Sequence, residues 1–508
     1  MSRTLDYFKE ICAIPHGSYN IDAISDYLVD FAKKHDLKYR QDELKNVIIF
    51  KDASEGYENE EGIILQGHMD MVAVKTSDCK KDMTGEGLDL IEEDGYLFAK
   101  DTTLGGDDGI AIAYALEILE SETIKHPKLE CIFTVNEEVG MDGAVGIDLS
   151  DITGRYMINV DSEEEGVITT SCAGGVRMLS LLETKKSKDI HGKVYSIEFK
   201  GLKGGHSGTS IHEGRANACI VLGRLLKEIN KAGATDIIDI SGGEKDNAIP
   251  SVAKAMICTD TDDEKFVEVI SVFDEKLTEE YKGIDDDIQI VVTPVVLDNS
   301  CASCASKNTC GSAGSSENND SYPTDAACPG AADECHIKCL DKSSDIIEIL
   351  TEVPDGVVKM SELNDLVETS LNLGVMSLDD EGFKLDFLLR SSIKESKEEL
   401  KERLGTILAE HGCKLALTGD YPGWAYNPDS VLTGRVADTY KKLFGKEAIV
   451  TGVHAGLECG ILLEKKNDLD VISIGPNILN IHTTEEKLDL ESVERVRKLL
   501  LEVLAQKA

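Results

Sequence analysis

The apolar pattern of this chain changes twice along its length. Up to about residue 184, and again from about 421, short apolar runs alternate with stretches whose apolar residues recur at helical spacing. Leu5, Phe8 and Ile11, then Ile21, Ile24, Leu28 and Phe31, mark helices, as does the segment 109–120 (GIAIAYALEILE). Apolar runs at 46–51, 62–66, 129–135, 156–160 and 470–474 read as strands, and Val493, Val496, Leu500 and Val503 close the chain with an amphipathic helix. This is an α/β pattern. Between 185 and 420 alternating strands such as VYSIEFKGL and KLDFLLR are interleaved with helices such as ANACIVLGRLLKEI, an α+β pattern. One core seldom serves 508 residues, so the reading is one domain split around another: 1–184 with 421–508, and an inserted lid at 185–420. Residues 300–343 fit neither pattern, being rich in Ser, Gly, Asn, Asp and Ala with six cysteines. They are read as a Cys-rich, disordered insert.

Charge removes several functions. Acids outnumber bases by 95 to 53, for a formal net charge of -42, which repels nucleic-acid backbones and anionic lipid surfaces. No apolar run approaches the roughly 20 residues of a membrane span, and the start, MSRTLDYFKEICAIPHGS, carries acids where a signal peptide is apolar. Eight of the 14 cysteines are scattered singly, several of them in apolar stretches, as small core residues. A cytoplasmic, reducing location is the expectation.

Ligands of open α/β sheets gather beyond the carboxyl ends of the strands, so polar residues directly after apolar runs are the candidates. Gly67-His68-Met69-Asp70 follows 62–66, Asn136-Glu137-Glu138 follows 129–135, Asp161 follows 156–160, and GPNILNIH, ending at His482, follows 470–474. Asp107 and Asp108 open the helix at 109. Singly each has a bland explanation: a lone His is ordinarily hydrogen-bonded structure, and acids at a helix start are ordinarily caps. Together, two His and several carboxylates without a nearby Cys are ligand chemistry for Zn²⁺, Mn²⁺ or Co²⁺. Adjacent Glu137 and Glu138 cannot both point one way from an extended chain, so one can bind metal while its neighbour serves as general base.

Competing chemistries lack their motifs. There is no GxxxxGK[ST] loop and no GxSxG elbow, and HEGRA at 212 lacks the second His of the HExxH helix. GLKGGHSG at 201–208 lacks the lysine at the GK[ST] position of a phosphate cradle and reads as a tight turn.

LQGHMDMV, TTLGGDDGI, NEEVGMDGA, NVDSEEEG, GGHSG, GRANA, NAIPS, HAGLECG and IHTTEE, in that order, resemble the aminoacyl-histidine (Xaa-His) dipeptidases of the dinuclear aminopeptidase, carboxypeptidase and carnosinase family. The resemblance covers the chain except 300–343. It implies a peptidase catalytic domain on a central mixed sheet and an activity of hydrolysing dipeptides, Xaa-His among them, with two divalent ions, zinc by preference and Co²⁺ or Mn²⁺ as alternatives. By the same resemblance His68, Asp107 and Asp161 hold one ion and Asp107, Glu138 and His482 the other, with a cis peptide between Asp107 and Asp108. It further implies Asp70 as the carboxylate that orients His68, Glu137 as the general base, and His206 as the group stabilising the oxyanion, from the same or a partner chain. Asn247, Arg390 and Gly456 match the positions that take the substrate carboxylate. The chains would be able to pair as a homodimer through the lid. Rival readings are an N-acyl amino acid amidohydrolase or a tripeptide exopeptidase with the same metal site, and an inactive binding protein on this fold.

Overall fold

Strands buried on both faces explain why the catalytic part reads as unbroken apolar runs. The structure, a computed structural model, describes residues 3–296, 337–362 and 366–507. Eight strands form a mixed sheet in the order Lys38–Gln41, Val47–Lys51, Leu129–Thr134, Ile63–His68, Tyr156–Asn159, Asp470–Ser473, Val167–Cys172 and Ile449–Val453. Ile63–His68 runs parallel to both neighbours, and Tyr156–Asn159 parallel to Asp470–Ser473. Four consecutive strands therefore end on one edge of the sheet, and the segments carrying His68, Glu137, Glu138, Asp161 and His482 leave from that edge.

Helices cover both faces. Arg3–Cys12, Asp22–Lys34, Gly106–Glu120 and Leu490–Leu504 build the larger core on one side, and Glu458–Lys465 helps close the other. Gly106–Glu120 is buried along nearly its whole length, as an all-round apolar helix must be. Truncating its fully buried Leu116 to alanine would cost about 2–5 kcal/mol, so the helix that presents Asp107 is firmly anchored.

The second sheet is antiparallel, with Gln289–Pro294 at one end and Lys414–Tyr421 at the other. Its two halves meet at a single register pair, Gly242 with Met376. Ala218–Ala232, Asp263–Glu280, Ser343–Glu352 and Lys394–Glu410 pack on its apolar face. Side chains of Asn217 and Asp262 cap the first two of these helices by accepting from Cys219 N and Lys265 N, each at 3.0 Å.

Two boundaries differ from the sequence expectation. Gly174–Leu182 belongs to the second sheet, paired with Phe383–Ser391 and Lys414–Tyr421. The division expected at 184/185 therefore moves back to Ala173. Val167–Cys172 runs through Ala173 straight into the next strand, which begins at Gly174-Gly175; that glycine pair was the local sign of the crossing. The end of the insert also belongs to the lid: Lys338–Leu340 is a strand paired with Lys186–Asp189, and Ser343 starts a helix. Cys339 and Leu340 are buried there, so these residues are core rather than appendage. The disordered reading of the insert falls, for 300–336, outside the described residues. No helix among the described residues is long and apolar enough to cross a membrane.

Candidate metal centre

His68 ends its strand almost completely buried, at 1% exposure. The strand can end so close to the Asp107 helix because position 67 is glycine: a Cβ there would lie 2.4 Å from Asp108 Oδ2. Asp108 accepts the His68 N–H at 3.1 Å, and the Asp107–Asp108 peptide is cis. His68 Nδ1 lies 2.9 Å from the main-chain carbonyl of Asp70 and 3.5 Å from its carboxylate. Asp70 thus sets the His68 tautomer mainly through its carbonyl, with Nδ1–H donating and Nε2 left to ligate. Its carboxylate accepts the Glu137 N–H at 3.0 Å and the Ser18 hydroxyl at 2.8 Å, which ties the Glu137–Val139 turn to the His68 strand.

Asp107 has one oxygen on each side of the centre. Oδ1 lies 3.0 Å from His68 Nε2, and Oδ2 lies 3.2 Å from His482 Nε2. Asp161 Oδ1 is 3.6 Å from His68 Nε2, and Glu138 Oε1 is 2.9 Å from His482 Nε2. Among the described residues, three groups have ligand atoms within 4.8 Å of one another: His68 with Asp107 and Asp161, Asp107 with Glu138 and His482, and His68 with Glu137 and Glu138. The first two share Asp107. Each could hold a divalent cation.

Electrostatics point the same way. Among the described residues, the ion-pair partners of Asp107, Asp161 and Glu138 are His68 and His482 alone. Burial would lower the His68 pKa, but Asp107, Asp161 and Asp70 outweigh it and raise it well above the usual imidazole value. Asp107, then Glu138, raise His482 to about 10. Burial pushes Asp161 up to about 7 and Glu137 well above the carboxylate range. So many acids with so little positive charge fit a site completed by cations, since multivalent ions are the largest local charges in such clusters.

Two buried glutamates support the centre from behind, and the sequence reading missed both. Glu486 accepts three consecutive main-chain N–H groups, from Leu104, Gly105 and Gly106, at 2.8, 3.2 and 2.8 Å. It fixes the loop that delivers Asp107. Glu458, fully buried, accepts from Gln66 at 2.6 Å and Thr134 at 2.5 Å, and burial raises it to about 7. They sit in IHTTEE and HAGLECG, motifs read only for His482 and Gly456. Replacing Glu486 by Ala frees three buried donors, so metal affinity should fall about 10- to 100-fold with the fold retained. Metal titration followed by competition with a chelator measures it, and unchanged affinity would remove Glu486 from the support of Asp107.

The other expected site residues lie on the second sheet, its loops and the segment after Ile449–Val453. His206 ends a two-residue strand paired with Ala248–Ile249, beside Asn247, whose carbonyl accepts the Ser207 N–H at 2.8 Å. His206 Nδ1 accepts from the N–H groups of Gly208 and Thr209, both at 3.2 Å, so Nε2 carries the proton. A Cβ at position 208 would lie 2.4 Å from the His454 carbonyl, which places this lid loop directly against the HAGLECG segment of the same chain. Arg390, 5% exposed, donates to the Tyr421 hydroxyl at 3.1 Å, and Gly456 packs on the Tyr421 ring. Burial and the charge of Arg390 lower His206, so this imidazole is neutral. Tyr421, at the last residue of its strand, is a further contributor that no motif marked. A cavity of about 620 Å³ opens beside these groups, walled by Gly208 and His212 of the lid and by Ser171, Gly452 and His454 of the catalytic part.

His and carboxylate groups able to hold divalent cations thus gather at the strand ends of a mixed sheet, an arrangement suited to a metal-dependent hydrolase. The chain belongs to Peptidase family M20/M25/M40, whose model matches residues 64–506. It is 33% identical over 504 residues to the cytosol non-specific dipeptidase of Escherichia coli, covering 99% of this chain and 96% of that protein. It superposes on the crystal structure of aminoacylhistidine dipeptidase from Vibrio alginolyticus with a TM-score of 0.86 at 30% identity, covering 100% of this chain and 97% of the other. An aminopeptidase of Bacillus cereus shares the fold at a TM-score of 0.53 and 15% identity, covering 99% of this chain and 97% of the other.

Proposed function

We propose that the chain is a cytoplasmic dipeptidase that uses two divalent ions, zinc by preference, and accepts Xaa-His dipeptides within a broad range. The observation that carries this is Asp107, whose two oxygens face His68 and His482 on opposite sides. One ion would be held by His68, Asp107 and Asp161 and the other by Asp107, Glu138 and His482. When bound, the pair supplies Lewis acidity for the peptide carbonyl and for the attacking water.

The remaining work belongs to side chains. Glu137 takes the proton of the attacking water and passes it to the leaving amine, held for this task by the turn that Asp70 anchors through the Glu137 N–H. Asp70 holds both His68 and the Glu137 turn. His206 offers a neutral Nε2–H to the developing oxyanion. Arg390, Asn247 and the main chain at Gly456 receive the substrate carboxylate, where a guanidinium fork adds direction as well as charge. The names of the Escherichia coli and Vibrio alginolyticus relatives support a dipeptide substrate. Pairing into a homodimer through the lid completes the proposal.

Metal analysis coupled to a substrate panel tests it. Dipeptides, Xaa-His included, should be hydrolysed, with turnover lost on chelation and restored by Zn²⁺, Co²⁺ or Mn²⁺. Turnover of tripeptides or N-acyl amino acids with dipeptides untouched would transfer the reading to those substrates.

A further inference from the structure

Far from the metal centre, two thiols that the peptidase chemistry does not use meet inside the lid. Cys258, near the end of the strand Ala253–Thr259, and Cys339, in the strand Lys338–Leu340, bring their Sγ atoms to 3.0 Å although 81 residues separate them in sequence. Both are 0% exposed. They share a small apolar cluster with Val194 and Ile238, against which Val295 and Ile337 pack. Those last two residues flank the Cys-rich stretch, so the thiol pair sits where that stretch leaves and rejoins the lid.

We propose that Cys258 and Cys339 are a redox site that closes to a reversible disulfide with a low-molecular-weight disulfide as oxidant. The Cys258 thiolate attacks one sulfur of the oxidant, whose S–S bond breaks to release one small thiol and leave a mixed disulfide on Cys258. The Cys339 thiolate then attacks Cys258 Sγ and expels the second small thiol. Two protein thiols are oxidised, one small disulfide is reduced to two thiols, and the two protons from the cysteines end on the released thiols.

Three features favour this chemistry over two inert core thiols. Bond formation needs the sulfurs to approach by only about 1 Å more. The contact with Cys339 favours the thiolate of one sulfur of the pair, Cys258, against the opposing effect of burial, and the backbone and charge of nearby His191 add to it, while Cys339 keeps its proton until Cys258 has reacted. His191 is itself held 3.1 Å from both Asp236 and Asp260. Among the described residues the strand Lys338–Leu340 is paired with the exposed strand Lys186–Asp189 and not with the nine-stranded sheet, so access would come by local opening of this two-stranded pair.

Oxidised glutathione is added to the native full-length chain, free thiols are blocked with iodoacetamide, and the digest is read by mass spectrometry before and after reduction. The expected result is a Cys258–Cys339 linked peptide pair that disappears on reduction and is absent from Cys258→Ala, whose dipeptide turnover and circular dichroism match the parent. Complete alkylation of both cysteines after oxidant treatment overturns the proposal. So does Cys339 paired instead with a cysteine between 301 and 335.

Discussion

Glu137→Gln should lower kcat on the order of 10²- to 10⁴-fold while the enzyme keeps its full complement of metal. The substitution preserves shape, and the Glu137 main-chain N–H that anchors the turn on Asp70 is untouched. What disappears is the ability to accept a proton from water. Glu138→Gln should behave differently: its carboxylate lies 2.9 Å from His482 Nε2, in one of the groups that share Asp107, so metal content should fall along with turnover. Glu137 also comes within ligand distance of His68 and Glu138, so geometry alone leaves it a candidate ligand. Metal stoichiometry measured beside single-turnover kinetics separates the roles, and equal metal loss in the two variants would show that Glu137 ligates.

The positions of the candidate ligands were legible because an α/β sheet converts sequence order into position. His68, Glu138, Asp161 and His482 each follow an apolar run, and the parallel pairing of Leu129–Thr134, Ile63–His68, Tyr156–Asn159 and Asp470–Ser473 brings the ends of those runs to one edge. The supporting carboxylates were not legible. Glu486 and Glu458 act on main-chain N–H groups or neutral side chains distant in sequence, and such contacts leave no spacing to read. Residues 174–182 were placed in the wrong sheet because one extended segment serves both. The resemblance supplied what residue patterns did not, including the roles proposed for His206, Asn247, Arg390 and Gly456. Cys258 and Cys339 escaped both, since their meeting depends on the register of two strands from different parts of the lid.

Asp107→Asn should have the widest effect of any single substitution, because this one carboxylate stands in both of the groups proposed to hold an ion. Loss of Asp161 or His482 removes a ligand from one group, whereas the Asp107 change weakens both at once. The amide keeps one acceptor oxygen but replaces the other with an NH₂ group, which cannot ligate a cation. It also removes a negative charge from between His68 and His482, the two imidazoles that Asp107 raises. Position should survive: the Leu104, Gly105 and Gly106 N–H groups remain on Glu486, and Gly106–Glu120 stays buried. The folded variant should therefore retain fewer than one metal per chain. Several kcal/mol of transition-state charge stabilisation go with the ions, on the order of 10³-fold or more in kcat/KM. Metal analysis of Asp107→Asn, Asp161→Asn and His482→Asn side by side gives the decisive comparison. If Asp107→Asn keeps one tightly held metal, as each of the other two is expected to, Asp107 serves a single ion and the shared-carboxylate reading of the centre fails.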